Sequence, residues 1–118
     1  MGSMHYDGTT IFFEDRVLAH LQIVIVQKFL KDEAFLMSWK GGKSVGDGRG
    51  SVWLAPTIAL TFKFLGSRSP AIDKDWLLLL GKSADSSTGL IVTMPDGTFA
   101  ESSPMNGNYP GNIEPEKR

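Results

Sequence analysis

The sequence predicts one α+β domain, an antiparallel sheet of about five to six strands with two helices packed on one face. Three observations support this class: residues 15–30 show helical periodicity, three short segments after them are predicted as strands, and helical spacing returns after Pro70. A length of 118 residues suits a single core. We place the domain at residues 4–100 and expect residues 101–118, rich in proline and glycine, to be a flexible or partner-docked tail.

The first element is a strand pair, or one kinked strand, at residues 5–13. Asp7-Gly8 separates short β-prone pieces there and favours a tight turn. A helix over residues 15–30 follows, and Asp15 is its predicted N-terminal cap. The apolar residues at helical spacing are Val17, Leu18, Leu21, Val24, Ile25 and Phe29.

Three strands are predicted next, at residues 34–40, 51–55 and 58–64. Residues 41–50 contain five glycines and are predicted as a loop, because glycine weakens regular structure. Pro56-Thr57 makes the turn between the last two strands. Short connections between consecutive strands favour an antiparallel meander with one face on the helices.

A second helix is predicted to begin at Pro70, with Ser69 as its cap. Asp73 and Asp75 favour the positive end of its dipole. Gly81 is where the helix would stop, with one further turn as the alternative. The predicted buried stripe consists of Ile72, Trp76, Leu79 and Leu80.

The last predicted strand covers residues 90–94. Pro95-Asp96-Gly97 follows as a turn that pairs this strand with Phe99. The expected order is therefore strand pair, helix, three-strand meander, helix and strand.

Composition excludes several classes of protein. The absence of cysteine excludes a disulfide scaffold, a thiol nucleophile and a cysteine-based metal site. A net charge of −1 gives no overall attraction to nucleic acid or membranes. The apolar runs at residues 23–26 and 77–80 are far shorter than the roughly 20 residues of a membrane span, and the N-terminus does not resemble a secretory signal. We therefore expect a cytoplasmic protein with no membrane partner.

The glycine-rich segment contains two fragments of enzyme motifs without their context. The Gly-Lys-Ser at residues 42–44 resembles the end of a P-loop. However, Met37 occupies the position where the motif requires its first glycine, and no helix is predicted to follow. Residues 42–46 also fit the G-x-S-x-G pattern, whereas His5 and His20 both precede the serine. Carboxylates and histidines do not occur at metal-ligand spacing. The sequence therefore predicts no catalytic residue, no metal and no cofactor, and argues against an enzyme.

A local concentration of positive charge is the strongest indication of function. Between Ser38 and Arg68, five basic residues stand against one acid, Asp47, and Trp39 and Trp53 flank the glycine-rich segment. Cations bind phosphates and rings stack on bases, which favours binding of a nucleic acid or another phosphate-bearing ligand. The candidate ligand-binding residues are Lys40, Lys43, Arg49, Trp53, Lys63 and Arg68. The alternative is that Trp39 belongs to the core and the basic residues solvate a strand edge.

The first predicted helix has a second apolar face, formed by Ile23, Val26 and Leu30. Such a helix is either central in the fold or lies at a subunit contact. The second alternative predicts a homodimer in which these residues pack on their own copies. A homo-oligomeric protein-interaction module is therefore the alternative function.

Several segments together carry a family resemblance. They are Tyr6, residues 14–21, 35–39, 46–49, 52–56 and 60–62, Ile72-Asp73 and Trp76. With these segments the chain resembles, over about residues 4–94, a family of small actinobacterial proteins of uncharacterised function that often carry the automatic label "ATP-dependent DNA ligase".

The ligase label implies a Lys-x-Asp-Gly motif, whose lysine attacks the α-phosphate of ATP. The residues two positions before the three Asp-Gly pairs are His5, Val45 and Met94. The chain is also too short for a nucleotide-binding core together with the oligonucleotide-binding domain of such ligases. The resemblance thus implies an accessory domain related to these ligases, not a standalone ligase.

Overall fold

The computed structural model describes residues 1–41 and 48–102, with side chains to residue 100, and these residues form two helices and seven strands. In chain order the elements are β1 (Gly2–Tyr6), β2 (Thr9–Phe13), α1 (Asp15–Leu30), β3 (Phe35–Gly41), β4 (Arg49–Leu54), β5 (Leu60–Lys63), α2 (Lys74–Ala84), β6 (Leu90–Ile91) and β7 (Glu101–Ser102). The predicted α+β class is confirmed. Most of the predicted glycine-rich loop, residues 42–47, lies outside the described residues.

The strands form two sheets, so the prediction of one five- to six-stranded sheet is wrong. The first sheet has the order β2-β1-β5 and is antiparallel throughout. The second has the order β4-β3-β6, and β7 also pairs with β3. β4 is antiparallel to β3, whereas β6 and β7 are parallel to it. The expectation of purely antiparallel pairing is therefore also wrong.

The predicted meander is broken at the turn between β4 and β5. The Ile58 N–H donates to the Ala55 carbonyl and closes a turn over Pro56-Thr57. Two-residue hairpin turns need a positive φ at the first central residue, whereas proline fixes φ near −65°. The chain therefore does not return along β4. Instead β5 pairs with β1.

A tyrosine ties this turn to the first sheet. The Ala55 N–H donates to the Tyr6 hydroxyl over 2.8 Å. Tyr6 lies in the β1–β2 hairpin, where Asp7 and Gly8 have φ angles of 49° and 84°. Positive φ at both central residues is the two-residue turn typical of a hairpin. The predicted strand pair is therefore confirmed.

α1 covers the predicted residues, but its start differs from the prediction. Glu14 occupies the N-cap, and no side chain caps the helix. The Asp15 carboxylate instead accepts hydrogen bonds from the N–H groups of Leu65 and Gly66, at 3.1 and 2.8 Å. These bonds hold the pKa of Asp15 below its usual value. Asp15 thus anchors the segment after β5 to the start of α1, and its prediction as a cap is wrong.

α2 begins four residues later than predicted. Asp73 is its N-cap, and its carboxylate accepts from the N–H groups of Asp75 and Trp76, at 3.0 and 3.1 Å. The predicted cap at Ser69 is wrong, since the chain remains non-helical through Asp73. The helix continues through Gly81 to Ala84, as the longer alternative expected. Of the predicted stripe, only Trp76 and Leu80 are buried, while Ile72 and Leu79 are exposed.

A buried histidine joins the two helices. The Asp73 N–H donates to His20 Nε2 over 2.9 Å, so Nδ1, 2.7 Å from the Arg16 carbonyl oxygen, must donate to it. The His20 ring stacks on Trp76 at 4.2 Å between centroids. At the other end of α1, Lys28 binds Asp85 just beyond α2. The two helices therefore run side by side in the same direction.

The core lies between the helices and the two sheets. It is formed by the inward residues of β1 and β2, the buried side of α1, and parts of β3, β4, α2 and β6. No helix in the described part of the chain is long and apolar enough to span a membrane.

Candidate functional site

The register of β3 and β4 divides their side chains between two faces. Phe35 lies opposite Leu54, and Met37 lies opposite Val52, on the face that packs on the core. The alternate residues lie on the other side because successive side chains of a strand point to opposite faces. We call that side of the second sheet the open face, and its β3 and β4 residues are Leu36, Ser38, Lys40, Arg49, Ser51 and Trp53.

The open face has an apolar end and a basic end. Trp53 lies opposite Leu36 and is 61% exposed, although tryptophan is usually largely buried. Arg49 lies opposite Lys40, and Arg49 is exposed. Between the two ends, the hydroxyls of Ser38 and Ser51 are 2.9 Å apart. The face therefore presents an aromatic ring and cationic groups on one surface.

The structure brings three of the six predicted ligand-binding residues together. Lys40, Arg49 and Trp53 share the open face. Lys63 lies on β5 in the first sheet, because β5 leaves the predicted meander. Arg68 lies between β5 and α2, and Lys43 falls outside the described residues.

Trp39 does not take part in the open face. It lies on the opposite side of β3 and packs against the core, as the alternative interpretation of this residue predicted. Its indole covers Gly50, the residue opposite it on β4, and a β-carbon there would collide with the ring. The two tryptophans beside the glycine-rich segment thus have different roles.

Arg68 lines a separate groove between α1 and the segment that follows β5. The groove has a volume of about 370 Å³. Its lining residues include Gln22, Ile23, Phe64 and Ile72. Sequence reasoning did not find this groove, because it depends on the segment before α2 lying along α1.

The second apolar face of α1 is only partly covered. Ile23 is half-buried beside the groove, whereas Val26 is 44% exposed and Leu30 is 81% exposed. Spacings of three and four residues place these three side chains on one side of the helix. Among the described residues, Val26 and Leu30 are the exposed part of this face.

The described residues show no group of three or more histidine, aspartate or glutamate side chains that could hold a metal ion. The side chains of the open face can stack, form hydrogen bonds and carry positive charge.

A family model described as a domain of unknown function (DUF7882) matches residues 1–95. The match extends from β1 through β6 and includes the open face and the exposed side of α1. Neither the curated proteins nor the solved structures contain a match to this chain. Because the family model covers well over half of the sequence, the chain belongs to the DUF7882 family.

Proposed function

We propose that the chain is a non-catalytic module that binds nucleic acid, single strands above all, on the open face. The observation that supports this most directly is the position of Trp53, largely exposed on the same face as Arg49 and Lys40. Base stacking on an aromatic side chain contributes about 1–3 kcal/mol per base, whatever the base. An exposed ring on the same face as cationic side chains is the arrangement such binding needs. We place this activity in the cytoplasm.

The residues of the open face have separate tasks in this proposal. Trp53 stacks on a base, and the Arg49 guanidinium binds a phosphate through its planar set of donors. Trp53 lies four positions after Arg49 on β4, about 13 Å at the rise of a strand. A bound strand would therefore run along β4 and cross the Ser38–Ser51 pair, whose hydroxyls can donate to backbone oxygens.

Trp53→Ala is expected to weaken binding of a fluorescein-labelled single-stranded oligonucleotide by about five- to 150-fold, because the stacking of one base is lost. Arg49→Gln is expected to make the plot of the logarithm of the binding constant against the logarithm of the salt concentration less steep by about 0.7, since one phosphate contact is lost. Fluorescence anisotropy at several salt concentrations measures both changes.

Lys63→Gln is the matched control, because Lys63 lies in the first sheet, away from the open face. It should change the affinity much less than Arg49→Gln. Equal effects of the two substitutions, or no binding by the unchanged chain at low salt, would contradict the proposal. A thermal melt of each variant shows that the fold is intact.

The same titration with intact and nicked duplex tests the resemblance to proteins labelled as DNA ligases. We propose an accessory role beside such ligases, which predicts tighter binding to nicked than to intact duplex. Equal affinity for the two duplexes would contradict the accessory role and leave the single-strand proposal standing.

The second candidate function is a homo-oligomeric interaction module that uses α1. It is favoured by the exposure of Val26 and Leu30 beside Ile23. In a two-fold contact these side chains would pack on their own copies, and their apolar surface would be buried from water. Leu30→Glu is expected to convert such a dimer to a monomer in sedimentation velocity. A dimer that persists in this variant would exclude the α1 contact.

A further inference from the structure

β4 forms an edge of the second sheet, with β3 as its pairing strand within the described residues. It is six residues long and contains no proline, and its one charged residue is Arg49 at the start. Natural edge strands are usually protected from further pairing by lysines, prolines, bulges or short length. The part of β4 after Arg49 has none of these side-chain devices.

The hydrogen bonding of β4 shows which of its backbone groups face away from β3. The Gly41 N–H donates to the Gly48 carbonyl, and the β3–β4 register continues from this pair. In an antiparallel ladder, hydrogen-bonded pairs alternate with pairs whose N–H and C=O groups point outward. The residues with outward N–H and C=O groups are therefore Arg49, Ser51 and Trp53.

We infer that two copies of this chain associate by antiparallel pairing of their β4 strands, with Ser51 on the two-fold axis. In this register Arg49 of one copy lies opposite the partner's Trp53, and Ser51 lies opposite the partner's Ser51. All three outward residues then form hydrogen-bonded pairs, roughly six bonds in total. Shifting the strands by two residues leaves either Arg49 or Trp53 outside this set.

The side chains of β4 are complementary to themselves in this register. Arg49 of each copy would lie beside the Trp53 indole of the other copy, which gives two such pairs. An arginine next to a tryptophan ring makes a favourable cation–π contact. The two arginines lie at opposite ends of the paired strands, so their charges do not meet. On the core side, the small residue Gly50 would lie opposite the larger Val52 of the partner.

This assembly is a different surface from the apolar face of α1, and it does not depend on nucleic-acid binding. The second sheet of one copy and the second sheet of its partner would form one continuous sheet, with the two open faces on the same side. The occupant of the β4 edge is thus a second copy of the chain.

A single cysteine at position 51 tests the register directly, because the natural chain contains no cysteine. Directly opposed residues in a hydrogen-bonded antiparallel pair have Cα atoms about 5.5 Å apart, within the range that a disulfide spans. Under mild oxidation without nucleic acid, Ser51→Cys is expected to form a covalent dimer on a non-reducing gel. Thr61→Cys, exposed on the edge strand of the first sheet, is the matched control. Equal cross-linking of both variants, or none at position 51, would overturn the proposal.

Charged residues on the axis give a second, reversible test by sedimentation equilibrium. Ser51→Asp and Ser51→Lys each place like charges directly opposite, which should weaken self-association by up to about fivefold. An equimolar mixture of the two variants should restore the dimer. Leu30→Glu should leave it unchanged, since α1 lies outside the interface. A monomeric natural chain, or dissociation by Leu30→Glu and not by Ser51→Asp, would refute β4 pairing.

Discussion

Trp76→Ala is expected to lower the free energy of unfolding by about 3–5 kcal/mol, the usual cost of emptying a buried tryptophan site. Trp76 is 1% exposed, and its indole N–H donates to the Thr93 carbonyl over 2.7 Å. One face of the ring stacks on His20, and the Arg16 guanidinium lies 5.1 Å from the ring. The alanine variant therefore loses a packed volume, a hydrogen bond and the ring contacts with His20 and Arg16 of α1 together. Urea denaturation followed by circular dichroism measures the loss.

Two control substitutions separate these contributions. Trp76→Phe keeps an aromatic ring but leaves the Thr93 carbonyl without its donor, so we expect an intermediate loss that includes about 1–3 kcal/mol for the unpaired carbonyl. Trp53→Ala makes the same large change at an exposed position and should cost about 0.5 kcal/mol or less. Similar losses at positions 53 and 76 would contradict the burial of Trp76.

The helices and strands were predictable where a long periodic pattern existed. α1 has the predicted bounds because its apolar stripe continues without interruption from Val17 to Phe29. α2 was predicted to start too early because Ser69-Pro70 is a strong local start signal. The competing start at Asp73 is stabilised by the bond from its N–H to His20, a residue more than fifty positions earlier. A tertiary contact of this kind has no local signal in the sequence.

The pairing of the strands was not predictable from alternation. Alternation in β5 indicates which side chains share a face, but it does not indicate whether β4 or β1 is the neighbouring strand. Pro56 did argue against pairing of β4 with β5, because the fixed φ of proline is incompatible with a two-residue hairpin turn. The parallel pairing of β6 with β3 requires the long connection through α2, which the predicted meander did not include.

The candidate site was predictable only in part for the same reason. Arg49, Trp53 and Lys40 were identified by residue type, and the β3–β4 hairpin then placed them on one face. Lys63 was grouped with them through the predicted pairing of β5, and that pairing does not occur. The different roles of Trp39 and Trp53 followed from the period of two along β3 and β4, which the alternative interpretation of Trp39 already used.

Gly89→Ala is expected to be the most destabilising glycine substitution among the described residues. Gly89 has a φ of +82°, where a side chain adds strain of order 1–3 kcal/mol. A β-carbon at this position would also collide with the Leu36 carbonyl oxygen, a backbone atom of the central strand β3. The Ser83 hydroxyl, which binds both the Gly89 carbonyl and the Ile91 N–H, would be displaced with it. We therefore expect a loss of about 3 kcal/mol or more in urea denaturation.

Gly97→Ala separates backbone strain from this collision. Gly97 has a similar φ of +88°, but a β-carbon there has no atom within 4 Å. Its loss should therefore be limited to the strain, near the lower end of the 1–3 kcal/mol range. Equal losses of unfolding free energy in the two variants would mean that β3 can shift at Leu36 without cost. A larger loss for Gly89→Ala would mean that Gly89 is packed closely against Leu36 of β3, the residue opposite Trp53. The contact between Gly89 and the central strand β3 would then help to set the position of the exposed tryptophan on the open face.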